Sequence, residues 1–263
     1  GMGSMMFWGA LSLTIGIRTA VQTVAARRLG QGLLKESGMA LRNGLVLATL
    51  YSLPTSFFAW RYSDSLAQFF IEDPVATSLT ADYVSIVFIG LLFSSYSFVF
   101  QGFFTGIEKT KIHMKVTIAS NVLNVYLNAG FIYGSSGIQE FFNEHLSSLS
   151  LISYLWAWVN FPALGVKGAA IATLVSSIYM AAHYTASLLH KETKVEYSVF
   201  RLIFDSEMMK RQVQLALPQG FQESVIALGW GAFYKIVGII GLIELATTEL
   251  LFTIMHASFM PAM

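Results

Sequence analysis

Long apolar runs alternate with short polar turns along the whole chain, and the pattern predicts helices. Seven runs, approximately 5–27, 40–60, 82–106, 113–134, 166–189, 213–239 and 247–263, are each long enough to cross about 30 Å of hydrocarbon as a helix of roughly 20 residues. The chain thus reads as an all-α, polytopic membrane protein with about seven transmembrane helices. Two connections on one side carry structure of their own. The stretch SDSLAQFFIEDPVATSLTADY reads as an amphipathic interfacial helix, N-capped by Ser63 or Asp64 and stopped by Pro74. The longer connection 135–164 carries Glu140, Glu144 and His145. It then gives the run LISYLWAWVNF, too short for a span, which reads as an interfacial helix with Trp156 and Trp158 at headgroup depth. The most polar stretch, 191–212, divides the chain into residues 1–190 and 213–263, and its VFRLIF run suits the membrane surface. Pro218 is expected to bend the sixth run. The first run opens without a charged leader and the last stops at Met263 without a basic flank, so both ends read as cuts.

Polar residues inside the apolar runs are the candidates for function. Asn121, Asn124 and Asn128 recur at i, i+3 and i+7, and Thr117 extends their stripe by one turn. A carboxamide facing lipid tails loses its water and gains nothing, so the stripe should face a wet cavity or another helix. Thr173, Ser176 and Met180 share a face of the fifth run, with Thr173 placed to approach the asparagines. Glu223 lies about twelve residues past Arg211, roughly 18 Å into its helix. A carboxylate at that depth is either a coupling group or half of a structural pair. Arg18 is similarly deep. It either binds an anionic substrate group or pairs with a carboxylate such as Glu223 or Glu249. His183 and His256 sit on apolar helices as partner-satisfied packing residues, and Lys235 snorkels to the interface.

Composition sharpens this picture. Hydrophobic residues make up 55% and charged residues 12% of the 263, where soluble domains carry roughly 25% charged. The mean hydropathy is +0.60. A net charge of +1 excludes nucleic-acid binding through a broad basic field. The absence of cysteine removes disulfide frameworks, thiol nucleophiles and cysteine metal sites. No phosphate loop, HExxH or GxSxG motif is present, so nothing points to an enzyme or a bound cofactor. The basic residues fall mostly on one side: Arg27, Arg28, Lys35 and Arg42, then Lys109, Lys111 and Lys115, then Lys191, Lys194, Arg201, Lys210 and Arg211. The other side has Arg61, Lys167 and Lys235, so the first side is expected to be cytoplasmic.

Several stretches resemble the multidrug and toxic compound extrusion transporters, in that family's order. GIRTAVQTVAARRLGQG resembles the end of the second helix and its basic turn, and GFFTGIEKTKIHMKVTIASNVLNVYLNAGFIYG the fourth-to-fifth helix junction. GVKGAAIATLVS resembles the start of the sixth helix, LALPQGFQ the opening of the seventh, and ELATTELLFTIMHASFMPAM the eighth. The resemblance implies a twelve-helix, two-lobe transporter of which helices two to eight are present. It implies a bacterial inner-membrane antiporter, monomeric at full length, that exports amphipathic or cationic organic compounds against entry of H⁺ or Na⁺. Some members use an Asn and an Asp four apart on the fifth helix. The matching positions are Asn124 and Asn128, and an amide at 128 cannot take up a proton. Others use a glutamate where this chain has Ile226, one turn beyond Glu223. Two other readings stay open: a lipid-linked sugar flippase of the same superfamily, and a seven-helix receptor or light-driven protein.

Overall fold

Eleven helices follow one another among the described residues, which in this computed structural model are 2–71, 73–145, 150–199 and 205–259. They are α1 (Met2–Gly30), α2 (Leu34–Arg61), α3 (Ser63–Phe70), α4 (Pro74–Ile89), α5 (Leu91–Gly106) and α6 (Thr110–His145), then α7 (Ser150–Ala157), α8 (Gly165–Leu189), α9 (Lys191–Glu196), α10 (Ser206–Ile240) and α11 (Leu242–Phe259). No strand occurs among the described residues. By length and apolarity α1, α8 and α10 each suffice to cross a membrane, and α4 with α5 suffice together, bent by 50°. The other expected spans are helical as well but more polar. α2 contains Pro54 and a run of serines and threonines, α6 contains the asparagines, and α11 brings Glu244 and Glu249.

α1 is the central element. It packs against α2, α4, α5 and α10, and glycines let it do so at backbone distance. A Cβ on Gly16 would lie 2.3 Å from the Ala216 carbonyl and 2.7 Å from the Gly220 amide of α10. On the α5 side, a Cβ on Gly102 would meet the Arg18 carbonyl at 2.4 Å, and one on Gly106 the Gln22 carbonyl at 2.7 Å. Helices in lipid gain little from hiding apolar surface, so such contacts between small residues supply the attraction. Among the described residues the core forms two larger clusters and a smaller one of Leu127, Phe161 and Ala172. Toward the basic end Val21, Leu41, Val99, Phe103, Phe104 and Tyr184 are buried together. Toward the other end Phe7, Leu11, Val84, Phe88 and Leu91 form a second cluster.

Local chemistry changes three expected boundaries. Pro74 starts a helix instead of stopping one. It is the first residue of α4, where its missing N–H is not needed, and the Asp73 carboxylate caps the turn by accepting from the Ala76 N–H at 2.7 Å. The run 82–106 is not one straight rod, because Gly90 separates α4 from α5. Helix α6 continues past the expected end of its span, with a break at Gly134 (φ 73°, ψ 162°). Beyond that break Ser135 pins the returning segment: its hydroxyl donates to the Trp156 carbonyl at 2.7 Å and accepts from the Phe161 N–H at 2.8 Å. α7 is the short helix expected there, with Trp158 exposed and Trp156 stacked on Tyr126.

The polar linker is folded onto the first bundle. Residues 206–212 form the first turns of α10. The Gln212 amide donates to the Ala40 carbonyl at 2.8 Å and the Asn43 amide to the Asp205 carbonyl at 3.1 Å. Lys109 lies 3.6 Å from Glu196 and over the Tyr197 ring. Burial, with Glu196 and Glu108 nearby, pushes the Tyr197 phenol upward, so it stays neutral beside that lysine. The VFRLIF run lies almost wholly outside the described residues.

A leucine at Gly16 forces α1 and α10 apart at their closest point. The Gly16→Leu protein is expected to lose about 1–3 kcal/mol, read as a lower thermal midpoint in detergent, whereas Gly9→Ala, with open space around it, should leave that midpoint in place.

Candidate functional site

The asparagine stripe is placed by the packing of α6 on α8. Gly168 of α8 sits so close to α6 that a Cβ there would meet the Phe131 carbonyl at 2.2 Å. This approach brings Ser176 to the stripe. The Asn128 amide donates to Asn124 Oδ1 at 2.8 Å, and the Asn124 amide donates to the Ser176 hydroxyl at 3.3 Å. Ser120 joins by donating to the Ser176 carbonyl at 3.2 Å. Thr173 makes no hydrogen bond to the asparagines among the described residues. Its hydroxyl returns to the Ala169 carbonyl one turn back at 2.9 Å, as hydroxyls on apolar helices do when no neighbour is nearer. Asn121 is exposed and has no hydrogen bond among the described residues. The stripe therefore divides into a bonded pair and a free amide.

One turn closer to the basic end the same face carries a second polar cluster. His113 sits between three helices. Its Nε2 lies 2.9 Å from the Gln101 amide nitrogen of α5, its Nδ1 lies 2.6 Å from the Tyr184 hydroxyl of α8, and Thr117 Oγ1 is 3.2 Å from that same nitrogen. With the Gln101 amide as donor, Nε2 is the acceptor and Nδ1 carries the hydrogen, which makes the ring neutral. Tyr184 is fully buried, with the Phe104 ring stacked 5.8 Å away and Phe100 5.7 Å away. Arg18 of α1 is within electrostatic reach of both Tyr184 and His113. Sequence reasoning missed His113, Gln101 and Tyr184, yet a signal existed: positions 113 and 117 extend the 121, 124, 128 stripe by two turns.

Arg18 and Glu223 do not pair. No ion pair involves Arg18 among the described residues, and its buried Nε has no hydrogen-bond partner. Glu223 is half-buried and accepts from the Gln219 amide one turn back at 3.2 Å. The α1–α10 contact is bridged instead by neutral hydroxyls, Ser12 and Ser224, 2.7 Å apart. His183 also departs from expectation, since its buried Nδ1 has no hydrogen-bond partner among the described residues, and its ring stands edge-on to Tyr179. Lys235 reaches across to α3, donating to the Phe69 carbonyl at 3.3 Å and lying 4.3 Å over the Phe69 ring. Glu249 acts electrostatically on Tyr234. The side chain of His256 lies outside the described residues.

Two cavities flank the α1–α10 contact. The larger, about 860 Å³, opens away from the basic end between α1, α2, α3 and α10. Met5, Met6, Phe58, Leu66, Phe69 and Phe88 line it, with Thr55, Ser224 and Lys235 as its polar points. The smaller, about 410 Å³, lies at the basic end and is lined by Arg27, Arg28 and Arg211. Arg28 pairs there with Glu36 at 3.2 Å, and Arg211 pairs with Glu207. Among the described residues no three His, Asp or Glu side chains converge as a metal site.

Comparison with known proteins agrees with this architecture. Residues 1–129 match the MatE family model. A probable multidrug resistance protein NorM of Agrobacterium fabrum is 24% identical over 250 residues, covering 93% of this chain and 48% of that protein. The NorM of Thermotoga maritima is 23% identical over 266 residues, covering 100% of this chain and 51% of its own length. The chain thus spans about half the length of the curated relatives it matches. Among solved structures, an inward-facing multidrug resistance MATE family transporter of the MOP superfamily superposes with a TM-score of 0.77 at 18% identity, over 98% of this chain and 53% of that one. An outward-facing form of such a transporter gives 0.77 at 20% identity, over 100% and 52%.

Asn124 both accepts and donates within the stripe, so Asn124→Ala breaks two hydrogen bonds. One of the two, to Ser176 of α8, is interhelical, and such a bond in a membrane bundle contributes about 0.6 kcal/mol. A thermal midpoint lower by a few degrees is expected for Asn124→Ala, and no change for Asn121→Ala.

Proposed function

We propose that this chain is a member of the MatE family of membrane transporters, whose model its residues 1–129 match, and that it forms part of a secondary antiporter that exports amphipathic or cationic organic compounds against entry of H⁺ or Na⁺. The observation that carries this reading is a carboxylate well inside α10, Glu223, half-buried one residue before Ser224. Ser224 lines the larger cavity, of about 860 Å³. An apolar chamber with a few polar points suits a compound with a greasy body and a polar end. A carboxylate in a membrane helix is the simplest group that can exchange a proton or a Na⁺ as the chamber opens to alternate sides.

The first bundle supplies a different kind of site. Its Asn124–Asn128 pair offers neutral oxygens, which can ligate a cation or accept a hydrogen bond but cannot be protonated at physiological pH. Coupling in this reading therefore rests on Glu223, while the asparagines line and orient. Transport, rather than covalent chemistry, is the work of these groups. The relatives named as multidrug resistance proteins support an organic compound as cargo.

Replacing Glu223 by Gln in the full-length protein, reconstituted in liposomes, is expected to reduce ion-gradient-driven dye efflux at least tenfold. Efflux within twofold of the parent removes Glu223 from the mechanism. Asn128→Asp restores a titratable group to α6 and is expected to steepen the dependence of efflux on an imposed pH gradient; an unchanged slope shows that the first bundle takes no part in coupling.

A further inference from the structure

Arg18, half-buried on α1, brings a fixed positive charge into the first bundle and forms no ion pair among the described residues; Asp82 of α4 is taken by Lys167 at 3.1 Å. α1, α5 and α8 contain no Asp or Glu, and the acidic residues of α6, Glu140 and Glu144, lie beyond the break at Gly134. In α2, Glu36 is engaged by Arg28. In α10, Glu223 accepts from Gln219. The Arg18 side chain crosses α5 where Gly102 leaves room: a Cβ there would lie 3.2 Å from Arg18 Cγ. Its Nε is buried and without a partner. The groups within its reach, Tyr184 and His113, belong to the hydrogen-bonded cluster with Thr117 and Gln101, and they offer a hydroxyl and a neutral imidazole. None of these carries a negative charge. A guanidinium in a low-dielectric bundle is expensive unless it is both hydrogen-bonded and paired.

Resting on the transporter reading above, we infer that Arg18 is an anion-binding residue of the first bundle, and that the compound it receives carries a carboxylate, sulfonate or phosphate on an otherwise apolar body. The planar, permanently charged fork of arginine matches those groups, which can take two of its N–H bonds at once. Tyr184, within electrostatic reach of Arg18, is fully buried and its hydroxyl lies 2.6 Å from His113 Nδ1, so the guanidinium is the group left to meet the anion.

The test uses the full-length protein in phosphatidylcholine liposomes, with two dyes of opposite charge: fluorescein, an anion, and ethidium, a cation. The expected result is ion-gradient-driven efflux of fluorescein, with the fluorescein-to-ethidium rate ratio lowered at least tenfold by Arg18→Gln and partly regained in Arg18→Lys. A ratio changed less than twofold by Arg18→Gln, or efflux of ethidium alone, overturns the anion site and leaves the exporter reading standing. Efflux of neither dye counts against the exporter reading instead. The anion site is then decided by binding: fluorescein should raise the thermal midpoint of the parent and not that of Arg18→Gln, and equal shifts in both overturn it. Because Arg18→Gln could misfold, its midpoint without dye is compared with that of Arg18→Lys, and the retained charge carries the comparison if the first is lost. If added phosphatidylglycerol abolishes the fluorescein shift in the parent, the anion is supplied by a lipid headgroup; if it does not, by a soluble compound.

Discussion

Backbone-level contact around α1 is the constraint on which the other features depend. A helix in lipid cannot rely on expelling water to find its neighbours, so it must approach them closely enough for dispersion and dipoles to hold. Gly16 and Gly220 permit this toward α10, and Gly102 and Gly106 toward α5. The polar groups follow from the same geometry. Because α5 lies directly on α1, the Arg18 side chain is directed over Gly102 toward α8. The α1–α10 approach likewise brings Ser12 and Ser224 within 2.7 Å and leaves the carboxylate of Glu223 to Gln219.

Once the helices are this close, each buried polar group must find a partner within a turn or two. Asn128 and Asn124 do so along their own helix and then reach Ser176. His113 does so across two helices at once. The contrast between these clusters explains what the sequence could reveal. The asparagine stripe is periodic and local, so its face could be read directly from spacing. The partners of His113 lie 12 residues back at Gln101 and 71 residues ahead at Tyr184, and no local pattern links them. A histidine within the basic turn KTKIHMK looks like a solvated residue until α5 and α8 are set against it.

Elements were legible for a similar reason, since hydrophobic run length fixes helices well and breaks in them poorly. The apolar runs became helices throughout the described residues. The misread points were those where one residue has two opposite uses. Proline stops a helix from within and starts one from its first position, and only the Asp73 cap decides between these for Pro74. Thr173 shares a face with Ser176, yet its hydroxyl is absorbed by its own helix. The ion pair that seemed natural between Arg18 and Glu223 fails because the two residues, though on neighbouring helices, find different surroundings.

The bend at Gly90 gives the first bundle a property that a straight helix would lack. α4 packs against α1, α2, α3 and α8, α5 packs against α1, α2, α6 and α8, and the two meet at 50°. A Cβ on Gly90 would press on the Val87 carbonyl at 3.0 Å and on Leu174 at 3.2 Å, so the corner is tightly filled but carries no side chain of its own. Both half-helices share α1, α2 and α8 as neighbours, while α3 packs on α4 and α6 on α5. The corner thus divides one membrane crossing between two environments: Phe100 and Phe104 of α5 pack on Tyr184, and Phe88 of α4 lies in the wall of the larger cavity.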